Sequence, residues 1–159
     1  MKQYLKFFVP STRRGKNGKY LALPGRNELE AASRSGYQVA SRLKRTEGQR
    51  VAEIAAIEAK KQGWKLPQNK VIIHYLWVEP NDHRDQDNIT GYEKCLLDGL
   101  TPPKITLKNG KATGKKYGAG IIADDSQKYI YGCSVSTIEV SKSQPGVFVT
   151  IKEVEENGI

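Results

Sequence analysis

The sequence predicts a mixed α+β fold: one domain built on a small mixed β-sheet packed with helices. Three segments carry that expectation. "KVIIHYLWVEP", residues 70–80, is rich in β-branched and aromatic residues and ends at Pro80, which reads as a covered strand. "TEGQRVAEIAAIEAKKQGW", residues 46–64, sets Val51, Ile54, Ala55 and Ala59 at helical spacing. "KYIYGCSVSTIEV" and "GVFVTIKEV" then read as two further strands joined by the Pro-Gly turn of "SKSQPG". Strand, helix, strand, helix and closing strands in that order make a mixed sheet, without internal repeats.

The remaining elements follow in chain order. "QYLKFFVP" has the β-formers of a first strand and stops at Pro10. "STRRGKNGKYLALPGRN" is turn-rich, with a short strand expected at Tyr20 to Leu23. Asn27 and Glu30 have the spacing of a capping box, and Gly36 limits any helix that starts there. Thr46 and Gln49 form a second such box, expected to open the first long helix. Lys60 and Lys61 suit that helix's negative end, and Gly63 can terminate it. His74, inside the apolar strand, is expected to be a buried structural histidine. From Asn88 to about Leu100, Ile89, Tyr92, Leu96 and Leu100 make one apolar helical stripe. "TPPKITLKNGKATGKKYGAG", residues 101–120, reads as a flexible lysine-rich loop or hairpin.

Composition narrows the function classes. A chain of 159 residues suits one domain with a real core. No apolar run approaches the roughly 20 residues of a membrane helix, and the apolar part of "MKQYLKFFVP" is too short for a signal segment. The expected setting is therefore cytoplasmic, with no membrane partner. Cys95 and Cys133 have neither zinc-ligand nor disulfide-framework spacing, and both are expected as inert core thiols. The net charge of +9 points to a polyanionic partner, nucleic acid first.

Against that basic background the acids are concentrated. All six aspartates, Asp82, Asp85, Asp87, Asp98, Asp124 and Asp125, lie between positions 82 and 125. Asp85 and Asp87 stand where the strand ends and the next helix begins. In extended backbone, residues two apart point the same way, so both carboxylates can face one point. Hard oxygen ligands so gathered suit Mg²⁺ or Mn²⁺, with Asp124 and Asp125 able to close the site from another segment. An Asp-rich turn is also ordinary as solvated surface, and Asp87 or Asn88 can simply cap the next helix. A calcium EF-hand is excluded, because counting from Asp85 its glycine position holds Thr90 and its final acid position holds Leu96. No phosphate-binding GxxxxGK[ST] loop occurs.

Taken together, "TEGQR", the strand into the acid segment, "RDQDN" followed by "KCLLDGL", and "IIADDSQ" occur in the order found in one family. The chain resembles the RusA-type Holliday junction resolvases, small dimeric endonucleases. The resemblance covers about Asn27 to the last strand. It implies a homodimer that resolves four-way DNA, in recombination and repair, by paired Mg²⁺- or Mn²⁺-dependent phosphodiester hydrolysis. It assigns metal-binding catalytic aspartates to Asp85, Asp87 and Asp125 and an essential lysine to Lys94, with Asp124 and Asn88 in support. The interval from Asp87 to Asp98 is longer than the family's, so the register of Lys94 depends on how "ITG" is accommodated. Backbone contacts to DNA are expected from Arg13, Arg14, Lys104, Lys108, Lys111, Lys115 and Lys116. The alternatives are a non-catalytic binder of branched DNA or RNA, whose acids only cap helices, and a nuclease for flaps or single strands.

Overall fold

The computed structural model describes residues 2–155. Its elements in chain order are β1 (Tyr4–Pro10), α1 (Arg26–Ser35), α2 (Tyr37–Gln62), β2 (Val71–Glu79), α3 (Gln86–Thr90), α4 (Glu93–Leu100), β3 (Lys104–Lys108), β4 (Lys111–Lys115), β5 (Val135–Val140) and β6 (Gly146–Glu153). The mixed α and β content is what the sequence predicts. The main sheet has the order β1-β6-β2-β5, antiparallel from β1 through β6 to β2, with β5 added in parallel on the far side of β2. β3 and β4 form a separate two-stranded ribbon.

Strict alternation decides which sheet face is covered. Leu5, Phe7 and Val9 of β1, Val71, Ile73, Tyr75 and Trp77 of β2, and Val147, Val149 and Ile151 of β6 are all buried. They pack with Val51 and Ala55 of α2 and with Tyr92, Leu96 and Leu100, which continue the stripe read from the sequence. The opposite face exposes Tyr4, Lys6, Phe148 and Lys152. His74 lies on it and is exposed, contrary to the buried role expected. Its neighbours Ile73 and Tyr75 take the inward positions, and parity sends His74 outward. Cys95 is buried as expected, whereas Cys133 is exposed.

Two glycines set how closely the helices approach. A Cβ on Gly99 of α4 would stand 2.6 Å from Val51 Cγ1 and 2.8 Å from the Gly48 carbonyl. A Cβ on Gly48 would collide with the Tyr117 ring. The helices therefore meet almost backbone to backbone, and Tyr117 is seated on the same spot of α2. Beside it, the Tyr92 hydroxyl donates to Glu47 at 2.7 Å, and Arg50 bonds Glu47 at 3.0 Å and the Pro10 carbonyl at 2.6 Å. Burial first, then the Glu47 carboxylate, hold the Tyr92 hydroxyl well above its ordinary pKa.

Here "TEGQR" has a different role from the helix start expected. α2 already begins at Tyr37, and the segment lies inside it. Thr46 and Gln49 cap nothing, while Glu47, Gly48 and Arg50 bind the helix to the rest of the fold. The first capping box is also displaced: Gly25 is the N-cap of α1, and Glu28, not Glu30, reaches back to its N–H at 3.0 Å. Gly36, at φ +135°, separates α1 from α2, and Gly63, at φ +72°, ends α2 as expected. The strand expected at Tyr20 to Leu23 is reduced to one bridge between Arg14 and Tyr20. The single helix expected from Asn88 to Leu100 is broken at Gly91 and Tyr92 into α3 and α4.

Helix propensity alone favours alanine over glycine inside a helix by about 1 kcal/mol. The close approach at Gly99 reverses that sign. Gly99→Ala is expected to destabilise by about 1–3 kcal/mol through overpacking, read as a lower denaturant midpoint with an unchanged slope.

Candidate functional site

"RDQDN" folds into a knot at the end of β2. Arg84 grips Glu79 at two points, Nε to Oε1 and Nη2 to Oε2, both at 2.8 Å. Its third nitrogen, Nη1, donates to the Leu23 carbonyl at 3.0 Å and stands 3.6 Å from Glu28. Asp85 is the N-cap of α3 and accepts from the Asn88 N–H at 2.8 Å. Asn88 is buried, and its Oδ1 accepts from the Asn27 N–H at 2.9 Å in the first turn of α1. A Cβ on Gly25 would collide with Asn88 and Arg84, so the chain has no room for a side chain there.

The two carboxylates accordingly differ from the extended pair expected. Asp85 caps the helix and Asp87 is inside its first turn, so they do not alternate along a strand. Asp87 is exposed and makes no hydrogen bond or ion pair among the described residues. Three and four positions after it come Thr90 and Gly91, which line a cleft of about 450 Å³. Asp87 is not itself a lining residue, but helical spacing puts it on the same side of α3 as these two.

Lys94, Asp98 and Asp125 themselves line that cleft, with Lys44 of α2 and Glu93. α4 delivers Lys94 and Asp98 one turn apart. The break at Gly91 and Tyr92 takes up the long interval after Asp87, and Lys94 still faces the cleft. Asp125 arrives because residues 119–122 run along the end of α4: Ala119 N–H bonds the Gly99 carbonyl at 2.8 Å, and Ile121 N–H bonds that of Leu100 at 2.7 Å. Trp64 Nε1 holds the Ile121 carbonyl from α2 at 3.0 Å.

Asp98 is the cleft acid on which burial and the neighbouring charges act together. Burial raises its pKa most, Lys115 and Lys94 oppose that, Asp125 adds to the rise and Lys44 opposes it. Asp98 was not among the site residues expected from sequence, although its spacing from Lys94 is that of one helical face. Asp124 points to the ribbon instead: Lys104 Nζ bonds it at 2.9 Å, and that hydrogen bond lowers the Asp124 pKa. Lys115 reaches the end of α4, donating to the Asp98 carbonyl and to Thr101 O and Oγ1 at 3.1 and 2.7 Å. Burial lowers its pKa.

The other basic residues expected to contact DNA divide by engagement. Arg13 donates to the Ala22 carbonyl at 2.9 Å, and Arg14 bonds Tyr20 Oη at 2.7 Å with its guanidinium 4.1 Å from that ring. Lys108, Lys111 and Lys116 are exposed and have no partner among the described residues. Among those residues, no three His, Cys, Asp or Glu side chains gather closely enough to hold a metal by themselves. Mg²⁺, however, takes one or two carboxylates and keeps several waters. The Asp98 and Asp125 pair, whose like charges oppose each other in one cleft, fits that chemistry.

Two outcomes follow from this geometry. Arg84→Ala leaves the Glu79 carboxylate buried and unpaired, so a loss of about 3–5 kcal/mol is expected in chemical denaturation at neutral pH. Arg84→Lys recovers only part of it, because an ammonium cannot match the two-point grip. For Asp98, a folded-state pKa above the unfolded value means that the ionised carboxylate disfavours folding once pH exceeds the unfolded value, and fully so above the folded one. Asp98→Asn is therefore expected to raise the melting temperature at pH 7, with the gain shrinking as pH falls toward 4.

Compared with models of known protein families and with curated proteins, the chain matches none.

Proposed function

We propose that the protein is a metal-dependent, structure-selective DNA endonuclease of the RusA type, which acts as a homodimer and resolves four-way junctions in recombination and repair. The observation that carries this reading is the cleft itself. Asp98 and Asp125 line it together with Arg26, Lys44 and Lys94, and Lys104 and Lys115 lie near enough to act electrostatically on both aspartates. Acid alone would repel a phosphodiester, and base alone would only bind it. Hydrolysis needs both, side by side.

In this reading Asp125 and Asp98 hold a Mg²⁺ or Mn²⁺ ion, and Asp87 and Asp85 serve from the α3 rim. The bound ion supplies an activated water and offsets phosphate charge. Lys94 meets the negative charge that builds on the phosphate oxygens. Lys44 holds the phosphate at the cleft mouth. The Arg84 knot fixes the angle at which α3 leaves β2, and hence where Asp87 stands.

Two observations favour a second reading, a nucleic-acid binder without turnover. Asp85 already has a capping role, and Asp124 already has an ion-pair partner.

Incubation of the protein with an end-labelled synthetic four-way junction and Mg²⁺ or Mn²⁺, beside flap and linear substrates, separates the two. Paired nicks that vanish with a chelator and with Asp125→Asn are expected, and Lys94→Ala is expected to lower the rate by about 10²-fold. Salt-sensitive binding with no cleavage across pH and metal would establish the second reading. Cleavage untouched by Asp87→Asn would remove the rim aspartate from the site.

A further inference from the structure

The cleft continues beyond Asp98. Ser33, Lys44 and Asp98 also border a larger groove, of about 850 Å³, between α2 and the β3–β4 ribbon. Its cations are Lys44 and Arg45 from α2 and Lys115 and Lys116 from the ribbon side, with Asp98 its one acid. Tyr117 is also in the lining and is held in place on Gly48. Tyr37 also lines the groove, at the start of α2, and its side chain is 86% exposed.

The ribbon's register extends that basic wall beyond the groove's own lining, which holds Thr113 and Lys115 but not Lys108 or Lys111. Lys104 pairs with Lys115 and Lys108 with Lys111, directly across the strands, and Thr106 pairs with Thr113 between them. These six share one face, because strand residues alternate. Directly opposed like charges disfavour the pairing. Lys104 and Lys115 are relieved by Asp124 and by the end of α4. Lys108 and Lys111 have no such relief, and a polyanion would provide it.

A row of cations implies a chain of phosphates rather than one anion. An exposed ring beside them adds a second requirement, a flat apolar face. Bases in a duplex cover their faces on one another, whereas an unpaired base offers one for stacking. We propose that the groove between α2 and the β3–β4 ribbon holds a single unpaired strand of nucleic acid. Its phosphates lie along Lys44, Arg45 and Lys116, one base stacks on Tyr37, and the strand leads to Asp98 and Asp125. The proposal rests on the nucleic-acid part of the function above and adds which form of the substrate enters the cleft.

Fluorescence anisotropy with a short labelled oligothymidylate, in chelator so that nothing is cut, tests it. Tyr37→Ala is expected to weaken binding about 5-fold or more, and Tyr37→Phe to restore it. Arg45→Ala and Lys116→Ala should each lower the salt slope by about 0.7. Lys152→Ala, on the open sheet face, should leave binding unchanged. Tyr37, Arg45 and Lys116 are exposed, so unchanged melting temperatures exclude misfolding. Wild-type affinity in Tyr37→Ala and Lys116→Ala would overturn the proposal, as would equal displacement by an acidic peptide. A protein that binds the strand through Tyr37 but cuts no branched DNA keeps the groove and loses the nuclease. One that cuts junctions while these variants bind normally keeps the nuclease and loses the groove.

Discussion

The near-contact of α2 and α4 at Gly48 and Gly99 is the constraint on which the rest depends. It lets two helices approach closely enough for Lys44 to stand over Asp98. It leaves the surface of α2 bare at the one point where Tyr117 lands, so the chain returning from the ribbon is anchored there. The buried Glu47, Arg50 and Tyr92 network lies on the same stretch and ties it to β1. Wider spacing would separate the acids of α4 from the cations of α2, and cleft and groove would both open.

The Arg84 knot is the second fixed point. Most of the "RDQDN" motif is satisfied within the chain: Arg84 by Glu79, Asp85 by the α3 backbone, Asn88 by the α1 backbone. What remains unengaged is Asp87. A motif that looks like a set of ligands is therefore mostly a bracket that holds one carboxylate outward. The bracket also couples the start of α1 to the end of β2, so the two walls flanking the cleft share their support.

Local pattern made the sheet and the apolar stripes legible. β1, β2 and β6 and the Ile89, Tyr92, Leu96 and Leu100 face were readable because burial in them follows simple periods. Helix starts were less so. Thr46 and Gln49 have box spacing, yet the helix runs through them, since Glu47 finds its partner forty-five residues away in Tyr92, beyond any local window. His74 was misplaced because the uninterrupted apolar run hid its parity. Lys94 and Asp125, singled out by motif order, both line the cleft, whereas Asp98 came to notice only through the cleft itself. Its significance comes from Lys44 and Lys115, which neighbouring sequence does not reveal.

The position of β6 has a consequence for how the chain reaches this form. β6 is the last of the described strands but an inner one in the sheet, lying between β1 and β2. While the chain emerges from a ribosome, β1 has no partner strand until residue 146 has been made. Both β1 and β2 then wait with unpaired edges and apolar faces, the condition that invites pairing with other chains. Assembly of the sheet is thus a late and long-range event. Lys6 on β1 and Pro10 at its end are the kinds of residue that discourage such pairing, and Gln62 of α2 bonds both backbone groups of Lys6.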